Sequence, residues 1–437
     1  MGPKNALIKY IDLFAGCGGL SDGFEESGNY SGIAHVEWES APCRTLTQRL
    51  KSHWKYPDAD DRVIRADIQD LDSLFSGRAS LGFAGHKGLD YLVEKAKGVD
   101  LVIGGPPCQA YSMAGRVRDA HGMQRDYRNY LFESYLAVVQ RFHPKAVIFE
   151  NVPGMLSAQP GGVQIAERVV EGFRTAGYKL QKDLRQCVVN ASDFGVPQQR
   201  KRVIILGIRA DTANADAMLE SFYKVKLPAQ HREMRTVKDA IGHLPPLLPI
   251  SKPISDTGRK ASHRRANPAI SDHEPRFHSK RDQGIFKTLA KDMTRKKPLY
   301  TTAESLKKLY TARTGHVSAV HKYHVLRPDR PSNLIPAHLY KDGLRHIHHD
   351  PQQARSITVR EAALLQGFPE DFDFIGSQGD KYKMIGNAVP PLLAQCLANA
   401  LKSALFMGND LKRPKHRSRP QSRTSAKAAR GENVRGS

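Results

Sequence analysis

Cys108 lies in LVIGGPPCQAYS, residues 101–112, where an apolar run ends in two glycines and two prolines stiffen the chain before the thiol. A lone cysteine is most often an inert core side chain. One held on a rigid loop just past a strand end is badly placed for a core and well placed for attack, so the position favours a nucleophile. AVIFENVPG, residues 146–154, delivers Glu150 and Asn151 at the end of another apolar run. A carboxylate there is expensive unless compensated. Glu150 therefore either caps the next helix, meets an arginine, or works as a proton donor with a raised pKa. GVPQQRKRVIILG, residues 195–207, alternates Arg200 and Arg202 on one face of an extended chain, where both could fork onto a carboxylate, carbonyl or phosphate.

A fourth segment, IDLFAGCGGLSDGF at 11–24, runs a strand into Gly16, Gly18 and Gly19 and then a helix. Glycines let such a turn tighten and approach a ligand. The signal is weak alone, because Ser21 stands where a dinucleotide fingerprint has its third glycine and a tight turn can bind nothing. Glu37 closes the next strand about 20 residues on, where an acid can bind a ribose hydroxyl pair. Asp67 closes the third. Together the three strand ends outline an adenosine pocket.

These residues need a scaffold that puts strand ends side by side. Candidate strands at 8–14, 32–38, 62–68, 100–103, 145–150, 184–189 and 203–208 alternate with amphipathic stretches such as 129–142. Strand–helix alternation predicts an α/β fold with a doubly wound, largely parallel sheet, whose ligands bind beyond the carboxyl ends. From about 215 the texture turns rich in proline, histidine and basic residues. A second, smaller and irregular domain is expected over 215–354. SITVREAALLQGFP reads as a short strand and a helix opening, and KMIGNAVPPLLAQCLANALKSAL as a strand-turn and a helix. Residues 355–404 would complete the first domain (1–214), and the basic tail 405–437 is expected to be disordered.

The 437 residues are ordinary in apolar content, 40%, but carry a net charge of +23, which points to a polyanion such as nucleic acid. Residues 251–300 hold thirteen basic and five acidic residues, and 411–437 hold nine against one, so the charge is concentrated as a contact surface would need. Five scattered cysteines without a C-x-x-C pair argue against a disulfide framework or zinc ribbon. With no signal-like or membrane-length apolar run, and Ala6 where a myristoylation motif needs Ser or Thr, a soluble cytoplasmic protein is expected. His346, His348 and His349 crowd together in RHIHHD, but no second ligand pair completes a metal site. They are expected to be polar loop residues, near DNA.

FAGCGG, GGPPCQ, FENVPG, GVPQQRKR, RSITVREAALLQGFP and IGNAVPP, in this order, resemble the blocks of the cytosine-5 DNA methyltransferase family, over about 1–210 and 355–402. The resemblance implies a methyltransferase-type (Rossmann-like) catalytic domain, S-adenosyl-L-methionine as cofactor and double-stranded DNA as partner. It also implies that the target cytosine is flipped out of the helix, as methyltransferases do. Carbon 5 of cytosine is a weak nucleophile, and thiolate addition at carbon 6 activates it. Cys108 matches the nucleophile, Glu150 the acid at N3, and Arg202 the arginine that holds O2, with Arg200 supporting the pocket or a phosphate. The similarity assigns Phe14, Gly16 and Gly18 to the methionine part, Glu37 to the ribose, and Trp38, Asp67 and Ile68 to the adenine. Pro107, Asn387 and Val389 would close the pocket. The second domain falls in the family's target-recognition region, which has no common pattern. A tRNA methyltransferase on the same blocks is the main rival; its branch carries a Cys-Phe-Thr signature in the second domain, and 215–355 hold no cysteine. A silent DNA-binding relative would not need Cys108, Glu150 and Arg202 together. A nicotinamide dehydrogenase would explain the glycine loop alone. A monomeric modification methylase, solitary or working beside a restriction endonuclease, is the expected setting.

Overall fold

The computed structural model describes residues 6–107, 131–159, 164–256, 259–264, 270–320, 323–341 and 343–406. The main sheet contains β1 (Ile8–Leu13), β2 (Tyr30–Glu37), β3 (Val63–Arg65), β4 (Leu101–Gly104), β5 (Ala146–Asn151), β6 (Tyr178–Leu180), β7 (Val188–Asn190) and β8 (Lys201–Arg209). Their order is β3-β2-β1-β4-β5-β8-β6, with β7 also paired to β8. β1 to β5 are parallel. β8 runs antiparallel to β5, β6 and β7, so the sheet is mixed at one end. Buried on both faces, the central strands read as near-continuous apolar runs, as parallel strands must. The chain departs from β1 towards β2 on one side and towards β4 on the other. This switch point sets the loops after β1 and β4 next to each other at the carboxyl edge.

The returning chain completes this unit. Helix Pro391–Leu401 packs on helix Gly19–Glu26, and glycines set how closely. A Cβ at Gly23 would stand 2.3 Å from the Pro391 carbonyl oxygen, and one at Gly19 would stand 2.4 Å from that of Val389. Between these segments lies the region expected to be irregular. It is more ordered than its composition suggests: β9 (Pro249–Asp256) pairs with β10 (Arg259–His263), and helices Lys280–Met293 and Ala303–Thr314 share a small core with Tyr323 and Ile347. Charged residues dilute the apolar period of both helices, which is why the pattern alone does not show them.

Other boundaries move for local reasons. The strand expected at 62–68 is paired only over β3, after which the chain turns. The one at 184–189 opens as a helical turn, Leu184–Cys187, capped by the Asp183 side chain, before β7 begins. KMIGN is the end of helix Gln378–Asn387 rather than a strand-turn, because a capping box between Ser377 and Asp380 starts a helix upstream. Likewise Thr358 and Glu361 cap Val359–Leu365, and the strand expected before it reduces to a single bridge between Ile347 and Ser356. Among the described residues no helix is long and apolar enough to cross a membrane.

Buried histidines tie the second region to the returning chain. His263 Nε2 bonds the Gln353 carbonyl, His273 the Thr358 hydroxyl, and His278 the Ser356 hydroxyl. His346 and His348, expected in a polar loop, are also buried, with exposures of 1% and 5%. Burial pushes His263 down to about 4, and His35, His278, His346 and His348 down to about 3. Each stays neutral in the fold while its unfolded counterpart titrates near the ordinary value. Their stabilisation is present above pH about 6.5 and is lost as pH falls, by up to about 1.4 kcal/mol per pH unit for each group. Asp12, Glu25 and Glu37, pushed up by burial, act in the opposite sense, but the five histidines outnumber them. The thermal unfolding midpoint should therefore fall between pH 7 and pH 5, and His278→Gln should flatten that slope by about one proton. A midpoint that holds or rises over this interval would contradict the assignment.

Candidate active site

At the end of β4 two glycines have different tasks. A Cβ on Gly104 would stand 2.4 Å from the Leu13 carbonyl oxygen, so this glycine lets β1 and β4 close up. A Cβ on Gly105 would stand 2.5 Å from Glu150 Oε2, so the β5 carboxylate lies directly against the loop that leads to Cys108. Pro106 is buried and Pro107 exposed; Cys108 itself falls outside the described residues. Asn151, which sequence reasoning did not single out, ties this loop down. Its Nδ2 donates to the Pro106 carbonyl at 3.5 Å, and its Oδ1 accepts the Val152 N–H at 2.8 Å. Its only signal was its place beside Glu150.

Glu150 meets an arginine. Arg202 Nε lies 2.7 Å from Glu150 Oε1, with both side chains nearly buried. The antiparallel register of β5 and β8, with Asn151 opposite Val203, brings the two together. Arg202 also donates to the Lys201 carbonyl at 2.8 Å. The carboxylate thus gains a partner charge in a poorly solvated place.

Arg200 behaves differently, although alternation placed it with Arg202. It is 2% exposed, and backbone carbonyls hold it. Nη1 donates to Ile335 at 3.3 Å, and Nη2 to Gly386 and Ala388 at 3.0 Å each. Burial and the Arg202 charge hold its pKa well below that of an ordinary guanidinium, with Glu150 opposing. Gln198 and Gln366 extend the same junction. Gln198 donates to Gln366 Oε1 and accepts the Ile335 N–H, while Gln366 donates to the Ala388 carbonyl. Arg200 is thus a buried clamp between the arginine segment, the second region and the returning loop.

Across the switch point, Phe14, Gly16 and Gly18 all adopt left-handed backbone, with φ of 61°, 57° and 92°. For a bulky residue such as Phe14 that conformation carries strain, of the kind that collects at ligand sites. Glu37, at the end of β2, accepts the Gly16 N–H on Oε2 at 2.9 Å and the Glu39 N–H on Oε1 at 2.8 Å. Burial pushes its carboxyl up. Trp38 is 52% exposed and meets the edge of Phe83 with ring centroids 5.2 Å apart. Phe83 carried no sequence signal. Asp67 accepts the Gln69 N–H, Ile68 is buried, and the Ala66 N–H bonds the Glu37 carbonyl, which sets the third strand end beside the second. Asn387 is exposed at a helix end, and Val389 is buried with its carbonyl against Gly19.

Behind the glycine turn, Ser21 explains the missing third glycine. Its hydroxyl donates to Asp12 Oδ2 and meets His35 Nδ1 at 2.9 Å, tying the first helix to β1 and β2. Burial lifts Asp12 to about 7. The donor set left at the edge suits an adenosyl ligand: a desolvated carboxylate for a hydroxyl pair, a half-exposed indole for a flat ring, and a glycine turn against them.

A switch-point edge of this kind, with a glycine turn on one side and a carboxylate–arginine pair behind a proline loop on the other, defines an α/β methyltransferase fold. The chain belongs to the C-5 cytosine-specific DNA methylase family, whose model matches residues 8–403, and is a DNA (cytosine-5) methyltransferase. It is 31% identical to the Type II methyltransferase M.Bpa9945I of Bacillus paralicheniformis, over 90% of this chain and 98% of that one. It is 33% identical to the Type II methyltransferase M1.HphI of Haemophilus parahaemolyticus, over 90% and 86%. A crystal structure described as a candidate prophage-encoded DNA modification methyltransferase (E. coli) shares the fold at a TM-score of 0.60. Its identity is 23%, over 91% of this chain and 99% of that one.

The two glycines of β4 and its loop should separate stability from turnover. Gly104→Ala forces a methyl against backbone and should destabilise by about 1–3 kcal/mol in a melt. Gly105→Ala pushes only the Glu150 carboxylate off its position, and should leave the melt nearly unchanged while methyl transfer falls about tenfold. Equal effects of both on stability would contradict this division.

Proposed function

We propose that the chain transfers a methyl group from S-adenosyl-L-methionine to carbon 5 of a cytosine turned out of duplex DNA, through a covalent bond between Cys108 Sγ and carbon 6. The observation that carries this is the Glu150–Arg202 pair set against Gly105, three residues before Cys108. Glu37, Trp38, Asp67 and Ile68 would hold the adenosine end of the cofactor, and Phe14, Gly16, Gly18, Pro107, Asn387 and Val389 would complete its surround. When bound it supplies an electrophilic methyl on a sulfonium.

Cys108 thiolate adds to carbon 6, and the ring electrons move towards N3, where Glu150, protonated from solvent as Arg202 turns to the base, delivers that proton. Arg202 turns part of its hydrogen bonding from Glu150 to the O2 of the base and holds the ring in plane. Carbon 5, now enamine-like, takes the methyl. A base takes the carbon 5 proton, Glu150 takes back the N3 proton, and the returning electrons restore the ring as the Sγ–carbon 6 bond breaks and Cys108 leaves as thiolate. Arg200 touches neither base nor phosphate; it positions Arg202 from behind. The cytosine leaves the stack because its carbon 5 and carbon 6 are otherwise covered.

Residues 215–354 are proposed as the target-recognition domain, inserted between 1–214 and the completing segment 355–404, with 405–437 as a basic DNA arm. The named relatives are Type II methyltransferases. That likeness supports a role in restriction–modification, and we propose that the chain works there as a monomer in the cytoplasm, with a restriction endonuclease for the same sequence as its partner.

Tritiated S-adenosylmethionine offered with mixed duplex DNA and tRNA should label cytosine in DNA. Cys108→Ser should lose at least about a thousandfold in rate, as removal of a covalent nucleophile does. A duplex carrying 5-fluorocytosine at the target should trap a covalent complex, because fluorine blocks the final elimination. Label confined to tRNA, or full activity in Cys108→Ser, would sink the proposal.

A further inference from the structure

Helices Lys280–Met293 and Ala303–Thr314 pack through Ile285, Phe286, Leu289 and Leu309, and residues 294–302 join them at one end. This connection is exposed over residues 294–299, yet it is pinned. Asp292, only 4% exposed, accepts the Leu299 N–H on both carboxylate oxygens at 3.0 Å and the Tyr300 N–H on Oδ2 at 2.9 Å. Pro298 fixes φ immediately before Leu299. A buried carboxylate thus holds Leu299, 61% exposed, rigidly in solvent three residues beyond Lys296 and two beyond Lys297. A single exposed leucine is ordinary. A preorganised one on a basic tip is what a groove-reading element needs.

The charges around it agree. Residues 280–314 hold ten basic side chains and three acidic ones. Each acid already has a basic partner: Asp282 with Arg281, Asp292 with Arg295, Glu304 with Lys308. Lys287, Lys291, Lys296, Lys297, Lys307 and Arg313 make no ion pair among the described residues, which leaves a net positive charge on this helix pair and its connection.

We propose that loop 294–299 is a DNA-reading element, in which Lys296 and Lys297 neutralise backbone phosphates and Leu299 lies against a base edge, where a thymine methyl offers an apolar partner. The assignment rests on duplex DNA being the substrate.

The test uses the full chain and a duplex carrying the target sequence, found beforehand by bisulfite sequencing of plasmid from expressing cells. The dependence of log binding constant on log salt should lose about 1.8 in slope in Lys296→Gln/Lys297→Gln, since each neutralised phosphate contributes about 0.9. Leu299→Ala should keep the slope, while its methylation-rate ratio between the target and single-base variants falls about fivefold or more. Asp292→Ala, which frees the loop, should lower that ratio in the same way, with melting curves confirming the fold. An unchanged slope in the lysine variant, or an unchanged ratio in Leu299→Ala, overturns the proposal. If the wild type labels no cytosine, the catalytic reading falls, while the slope comparison, run on a mixed-sequence duplex, still decides whether the loop meets DNA.

Discussion

One buried guanidinium holds the working parts of this molecule together. Arg200 makes no ion pair with a carboxylate among the described residues; three backbone carbonyls, from Ile335, Gly386 and Ala388, stand in for one. A buried cation without such partners would be very costly. The chain can therefore keep Arg200 inside only if the second region and the returning loop both close on it. That closure also presses Val389 against Gly19 of the glycine turn, and it fixes the start of β8, which carries Arg202 to Glu150. The glycine turn, the Glu150–Arg202 pair and the second region meet at this one residue.

Around the clamp, the site is assembled by close approach more than by long side chains. Gly104, Gly105, Gly19 and Gly23 each face an atom within 2.3–2.5 Å of where a Cβ would be. Their absence of side chain lets two strands, a carboxylate and a helix crowd one edge. Charge is arranged to match: Glu150 has Arg202, and Glu37 has two backbone N–H donors but no cationic partner among the described residues. The first arrangement suits a carboxylate that must exchange partners with a base, and the second one that must accept hydroxyls.

Much of this was legible in the sequence because the signals are local. Glu150 and Glu37 each close an apolar run and Cys108 follows one across Gly-Gly-Pro-Pro, and a buried strand leading to an unusual residue needs no tertiary information to be noticed. Arg200 was legible only as half of an alternating pair with Arg202. What separates them is a set of carbonyls 135 to 188 residues further along, and a carbonyl carries no sequence signature. Phe83 beneath Trp38 and the buried histidines of RHIHHD were opaque for the same reason. The helix over KMIGN could have been found, since Ser377 and Asp380 form a capping box in plain view, but the apolar KMI run suggested a strand. The family was legible from six short blocks in order, whereas the second region, which matches none of them, became legible only through its contacts.

The account stands on Arg200 organising the site without taking part in the chemistry. Cofactor affinity, measured by equilibrium dialysis on folded Arg200→Met, Arg200→Lys and Arg202→Met alongside single-turnover methyl transfer, tests this most directly. Arg200→Met should bind S-adenosylmethionine at least about tenfold more weakly, a loss of about 1.4 kcal/mol, because the 386–389 loop is released from Gly19. Arg200→Lys should fall between it and the wild type, and Arg202→Met should bind normally yet transfer poorly. Normal cofactor affinity in Arg200→Met, with only the transfer step impaired, would contradict the account.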